Sequence, residues 1–208
     1  MQEEEQPGSI ASVEAVGVPI HDPAWAPIGT DYAESTITRR FEERVARAPE
    51  SIAVTGPGGD LTASQLDRRA NQVANAIREA AAPLGRPVAV LHGHDVDLVA
   101  TMLGVFKAGG ILLVLDPASP PEVLASVVAD ARPAAIVTDT AHRPLGVELA
   151  GGDRPVVELD EHLSSRSDDR PPLGTGPESP ALLAYTSGTT GDVKAAVIPH
   201  RALLHLVR

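Results

Sequence analysis

Residues 1 to about 33 carry no sustained apolar period. Glu3, Glu4 and Glu5 are followed by Pro7, Pro19, Pro23 and Pro27, a pattern that predicts an extended tail. Its one Trp, Trp25, is expected to pin the tail to the body rather than to hold a ligand. From Ser35 the pattern turns regular. Ser35 or Thr36 can cap a helix in which Ile37, Phe41, Val45 and Ala48 recur at helical spacing until Pro49. Ile52 to Thr55 is a short β-prone run, and Gly56 to Asp60 reads as a tight turn. Thr62-Ala-Ser-Gln65 has the form of a capping box, and behind it Leu66, Ala70, Val73, Ala74 and Ile77 form one apolar stripe.

The middle of the chain alternates strand and helix. Val88 to Leu91 is an unbroken apolar run, followed by a helix from about Val96 to Ala108 that Gly109-Gly110 ends. Ile111 to Leu115 is a second buried strand, Pro121 to about Ala131 a proline-started helix, and Ala134 to Thr138 a third strand. Strands separated by helices at this spacing predict βαβ units, so the expected fold class is α/β with a parallel sheet and right-handed crossovers. Pro155 to Leu159 is a further strand candidate, and residues 160 to 180 read as a loop or linker. Ala181 to Tyr185 is apolar again. A loop from Thr186 to Val193, a β-prone run from Lys194 to Ile198 and a helix opening at Pro199 complete the pattern. That last helix offers Leu203, Leu204 and Val207 as an apolar stripe, expected to lie uncovered and to drive self-association.

Composition narrows the function classes. With two Phe, two Tyr and one Trp, the core must be aliphatic, which suits buried parallel strands. The absence of cysteine excludes a disulfide scaffold, a Cys-ligated zinc, an iron–sulfur cluster and a cysteine nucleophile. A formal charge of −11 argues against nucleic acid or an anionic membrane as the main partner. No run reaches the roughly 18 apolar residues of a membrane span. The acidic start Met1 to Ser9 is unlike a secretory signal, so a cytoplasmic protein is expected.

The stretch from Tyr185 to Lys194 (YTSGTTGDVK) carries the chemistry. Gly188 and Gly191 allow backbone conformations and close approaches that a Cβ forbids. Successive backbone N–H groups in such a loop form an anion-binding nest. Thr186, Ser187, Thr189 and Thr190 add neutral donors, and Lys194 a point charge suited to phosphate. The loop reads as built for a polyphosphate. It is not a Walker A loop, whose glycines stand further apart and which leads into a helix. On composition and spacing alone, a polar surface turn with a few threonines is the alternative.

Other candidates are weaker. In His92-Gly-His94-Asp95, Asp95 reads better as a helix N-cap than as a metal ligand, and no metal ligand is assigned. Lys107 is expected to lay its stem along a helix surface. His200 and His205 do not share a helical face, and Asp116-Pro117 reads as a turn.

Tyr185 to Lys194 resembles the phosphate-loop signature of the adenylate-forming (AMP-binding) enzymes: acyl-CoA synthetases, luciferases and nonribosomal peptide synthetase adenylation domains. The segment from Phe41 to Val54 is similar to that family's opening helix and strand. Leu61 to Asn71 matches its first core motif, and Phe106 to Gly110 with Leu115 to Pro120 its second. The four matches lie in the family's order over roughly residues 36 to 208, and the flavour is closest to amino-acid-activating adenylation domains.

The resemblance implies that a carboxylate attacks the α-phosphate of Mg-ATP, giving an acyl-adenylate and pyrophosphate. A thiol, often the phosphopantetheine of a carrier protein, then takes the acyl group. Thr186 to Gly191 would wrap the β- and γ-phosphates, with Lys194 balancing their charge, while Mg2+ accompanies the ATP. Two positions depart from the family pattern: Val193 stands where Pro is usual and Ala195 where Gly is usual. Val193 leaves the loop less preorganised, Ala195 restricts the backbone where Gly would be free, and neither removes a phosphate ligand.

The expected organisation is therefore a tail over residues 1 to 33 and the N-terminal portion of an adenylation domain over 34 to 208. The family's adenine, ribose and acyl sites and its C-terminal lysine belong downstream of the loop. No catalytic residue is assigned, the chain alone is expected to be inactive, and a complementary downstream fragment is an expected partner. The alternatives are a non-catalytic scaffold derived from the same fold, or a fragment of an acyl-CoA ligase.

Overall fold

The computed structural model describes residues 34–172, 174–187 and 193–206, so the expected tail over residues 1 to 33 lies outside the described residues. Helix α1 (Ile37–Arg47) is capped by Thr36, whose side chain accepts the Arg39 N–H at 3.2 Å. Strands β1 (Ile52–Gly56) and β2 (Gly59–Thr62) form an antiparallel hairpin. Helix α2 (Ala63–Ala80) opens with the expected capping box: Gln65 N–H donates to Thr62 Oγ1 at 3.2 Å, and Thr62 N–H to Gln65 Oε1 at 2.8 Å. Then come β3 (Pro87–Leu91), α3 (Val96–Lys107), β4 (Ile111–Leu115), α4 (Pro121–Ala131), β5 (Ala135–Asp139), α5 (Arg143–Ala150) and β6 (Val156–Leu159). A 3-10 turn (Glu161–Ser165), β7 (Pro180–Ser187), β8 (Val193–Pro199) and α6 (His200–Leu206) follow.

Six strands form one sheet in the order β6-β5-β3-β4-β7-β8, parallel except for the β7–β8 hairpin at its edge. The parallel α/β expectation holds, and the period-2 alternation of strands explains the layers. Val88, Val90, Leu112, Ala135 and Val137 pack with residues of α2 and α3. Their strand neighbours Ala89, Leu91, Leu113, Leu115 and Ile136 pack with α4 and α5 on the other face. Each such Val, Leu or Ile side chain, taken out of water, contributes roughly 1.5–3 kcal/mol. Helices α2 and α3 approach closely because Gly104 faces Val73: a Cβ there would fall 2.5 Å from Val73 Cγ1.

Several elements differ from expectation. Gly59 and Asp60 belong to strand β2, so Gly56 to Asp60 is the tip of a hairpin rather than a turn alone. Helix α5 has no counterpart in the expected pattern. It is short, and Gly146 at its centre breaks the apolar pattern because a Cβ there would meet Thr138 Cγ2 at 2.5 Å. In α1 the stripe of Ile37, Phe41 and Val45 is only partly buried, and the buried positions are Thr38 and Glu42.

The segment 160–180 is no slack linker. A row of amides on α2 holds its backbone. Gln72 Nε2 donates to Ser164 O at 3.2 Å, Asn71 Nδ2 to Asp168 O at 3.0 Å, and Asn75 Nδ2 to Ser167 O at 2.9 Å and Asp169 O at 3.0 Å. In α6, Leu204 is buried and Leu203 packs against the core, so these two residues of the stripe are covered; Val207 lies outside the described residues.

Candidate functional site

The phosphate-loop stretch enters the structure as the β7–β8 hairpin. Because β7 runs parallel to β4, its C-terminal end emerges at the carboxyl edge of the sheet, where ligand sites of open α/β sheets gather. The hairpin register pairs Thr186 with Lys194 and Ser187 with Val193. The two strands thus bring the hydroxyl end and the lysine end of the motif opposite each other. Gly188, Thr189, Thr190 and Gly191 lie outside the described residues.

Strand β8 begins at Val193, so the loop is shorter at both ends than the span from Thr186 to Val193 expected from sequence. Val193 and Ala195 both fall within β8, where a proline at 193 would lack the N–H a ladder position uses.

Tyr185, the first residue of the motif, ties the hairpin to the body. Its hydroxyl donates to Asp130 Oδ2 on α4 at 2.6 Å. Burial, and then the neighbouring carboxylate of Asp130, push the phenol pKa up to about 12, so the hydroxyl keeps its proton. Behind the hairpin, His200 at the start of α6 is fully buried against Phe106, with ring centroids 5.5 Å apart. Among the described residues neither of its ring nitrogens has a hydrogen-bond partner, and burial lowers its pKa to about 4.

The same sheet edge carries a second polar group. Asp139, at the end of β5, accepts the Gly93 N–H at 2.8 Å, the His142 N–H at 2.8 Å and the His142 ring nitrogen Nδ1 at 2.7 Å. Burial pushes its carboxyl up, but these bonds and nearby His92 outweigh burial and hold its pKa below the ordinary value. Asp95 is the N-cap of α3, as expected, accepting Asp97 N–H at 2.9 Å and Leu98 N–H at 3.0 Å. With His92, Asp97 and Asp160 these residues line a cavity of about 120 Å³. Asp95, Asp139 and Asp160 accept backbone N–H groups and Asp97 pairs with Arg69, which makes them joints between loops. Among the described residues no group of three His, Asp or Glu could hold a metal ion. Asp116 closes a turn, as expected, with Ala118 N–H donating to its Oδ1 at 2.9 Å.

Lys107 corrects its sequence reading. It does not lie along the surface but is buried at 1% exposure, its Nζ 2.9 Å from Glu42 Oε1 and 2.9 Å from Asp67 Oδ1. Its place was legible: Val96, Ala100, Leu103 and Lys107 recur on one buried face of α3. Asp130 as the partner of Tyr185 had no such signal, since it lies 55 residues away in the chain.

The family model of the AMP-binding enzyme matches residues 41–208. Bacitracin synthase 1 of Bacillus licheniformis is 34% identical over 172 residues, which are 82% of this chain and 3% of the relative. Isonitrile lipopeptide synthase of Mycobacterium tuberculosis is 34% identical over 171 residues, 82% of this chain and 7% of the relative. The chain thus spans a small fraction of the length of the curated relatives it matches. A crystal structure of the nonribosomal peptide synthetase FmoA3, in its α-methyl-L-serine-AMP bound form, superposes with a TM-score of 0.74 at 28% identity. It covers 84% of this chain and 19% of that one. The four ordered motifs, the mostly parallel sheet and the extent of the family match agree: the chain belongs to the AMP-binding enzyme family.

Proposed function

We propose that residues 34 to 208 are the N-terminal portion of an adenylate-forming domain of the peptide synthetase kind, with residues 1 to 33 a tail outside it. The reaction served is activation of a carboxylic acid, with an amino acid favoured over a fatty acid. A carboxylate oxygen bonds to the α-phosphorus of ATP and pyrophosphate leaves. A carrier-protein thiol then attacks the acyl carbon and AMP leaves. The observation that carries this reading is the hairpin register, which sets Lys194 opposite Thr186 at the carboxyl edge of a parallel sheet. Its support among relatives is the family match, together with the FmoA3 structure bound to an aminoacyl-AMP.

Thr186, Ser187, Gly188, Thr189, Thr190 and Gly191 are assigned to the β- and γ-phosphates, and Lys194 to their charge. Mg2+ would arrive on the nucleotide, and no residue of this chain is assigned to it. The work of this segment is positioning and electrostatics.

Because its assigned contacts reach phosphates and not the base, the chain is expected to bind ATP and pyrophosphate with similar affinity. Lys194→Ala should weaken both about tenfold, the scale of one charged hydrogen bond. Calorimetry of the full chain with each ligand tests it. No saturable binding of either ligand overturns the reading, as does the absence of any component of ATP or pyrophosphate binding that Lys194→Ala weakens. Substrate-dependent ATP–pyrophosphate exchange by these 208 residues alone would show that they hold more of the active site than is assigned here.

A further inference from the structure

At the amino edge of the sheet, opposite the phosphate-loop hairpin, the segments entering β3, β5 and β6 border an open depression of about 420 Å³. Arg86, Arg132 and Arg154 line it together with Asp153, Ala81 and Pro133. Three arginines against one aspartate make a local positive excess on a chain whose formal charge is −11. Among the described residues, Arg86 and Arg132 have no side-chain partner. Arg154 spends one donor on Ala150 O at 3.3 Å, leaving four of its five.

Arg132 adds an independent sign. It is the C-cap of α4 at φ 46° and ψ 58°, the one non-glycine residue at positive φ among the described residues. A helix end of this left-handed form ordinarily takes glycine, because a Cβ is strained there. The fold thus spends backbone strain on an arginine at the depression, and strain of this kind collects where a side chain has a task.

We infer that this depression is a second anion site, independent of the phosphate loop, which takes a small phosphate-bearing ligand. Guanidinium forks match the paired oxygens of a phosphate group, and they stay charged at every working pH. Ala81 and Pro133 add an apolar wall, so the phosphate could be free or could be carried on a small organic body.

The test titrates inorganic pyrophosphate and phenyl phosphate into the full chain, following backbone amide signals. Both are expected to saturate below about 1 mM at low salt, shifting amides near residues 132–135 and 153–156. Raising sodium chloride to about 0.2 M should weaken both, since the attraction is ionic and exposed. Lys194→Ala should leave these shifts unchanged, which separates this site from the proposed phosphate loop. Arg86→Gln and Arg132→Gly should each weaken binding at least about fivefold. Arg132→Gly should also raise Tm by about 2–4 °C, because glycine occupies the left-handed cap without strain. Weakened binding in a more stable variant cannot be misfolding. Tighter binding of phenyl phosphate assigns the site to phosphate monoesters, and tighter binding of pyrophosphate to free polyphosphate. Failure of both anions to shift these amides overturns the site, as does binding that survives both arginine substitutions.

Discussion

Phe106 and Lys107 are neighbours in the last turn of α3, and each meets a buried titratable group from a different part of the chain. On the side of α1 and α2, Lys107 lies 2.9 Å from both Glu42 Oε1 and Asp67 Oδ1, and Arg170 reaches the same Glu42 oxygen at 3.1 Å. Two cations face two carboxylates, so the local sum of charge is zero. On the side of α6, His200 is equally buried, edge-on to Phe106 at 65°, with no partner for either ring nitrogen among the described residues. Charge is balanced at the first place and given up at the second. The first arrangement depends on residues 65 positions apart in the chain. The second depends on burial against Phe106, and so fails on the acid side, where the ring would charge.

Removing the balance should produce the largest effect. Lys107→Met leaves Asp67 buried without its cation and Glu42 with only the half-exposed Arg170, and is expected to cost about 3–5 kcal/mol. Urea denaturation of the single variant measures it. Replacing Glu42 and Asp67 by Leu as well should recover most of the loss, because burying an apolar triad carries no desolvation penalty. A loss below about 1 kcal/mol would mean that water already screens the cluster, and the contrast with His200 would disappear.

The His200 side is sharpened by pH. An unfolded histidine titrates near 6.5, and burial lowers this one to about 4. Between those values the unfolded chain binds more protons, so the stability tied to the neutral ring is whole above 6.5 and drains as pH falls toward 4. The loss sums to about 3 kcal/mol. His200→Phe keeps an aromatic edge against Phe106 and removes two unpaired nitrogens, so it should flatten the stability curve across this window. Asp139 acts in a lower window. Its pKa is held below 3.8, so its contribution is present above that value and is lost only as pH falls further. An acid limb between 6.5 and 4 that persists in His200→Phe would assign it to other groups.

The parts of this fold that were legible in the sequence are those where one local rule decides. Unbroken apolar runs marked β3, β4 and β5 because strands buried on both faces need no alternation. Thr62 and Gln65, and Asp95, announced their helices because a cap is made within a few residues. What the sequence hid is decided across distance. Helix α5 is shaped by Gly146 meeting Thr138, the segment 160–180 by amides on α2, and Lys107 by carboxylates on α1 and α2. The candidate site divides along the same line. Its glycines, hydroxyls and lysine are contiguous and could be read, whereas Asp130, which anchors the hairpin through Tyr185, could not.

Tyr185 and Asp130 show a third treatment of a titratable pair, a neutral donor against a charged acceptor at a partly buried place, and the smallest effect is expected there. The 2.6 Å bond to a carboxylate would be strong if buried, but solvent access reduces it, so Tyr185→Phe should cost about 1 kcal/mol at pH 7. The pH dependence carries the sharper signature. A phenol near 10 when unfolded and about 12 when folded keeps its proton longer in the folded chain. Its contribution is therefore whole below pH 10 and is lost as pH rises toward 12. The phenylalanine variant has nothing to lose there, so the two stability curves should approach each other above pH 10. Asp130→Asn retains an acceptor without the charge and should fall between wild type and Tyr185→Phe at pH 7. Urea denaturation at pH 7 and pH 11 resolves all three chains. A gap between wild type and Tyr185→Phe that stays constant through pH 11 would mean that the hydroxyl stabilises by packing alone, and that the hairpin is not anchored through Asp130.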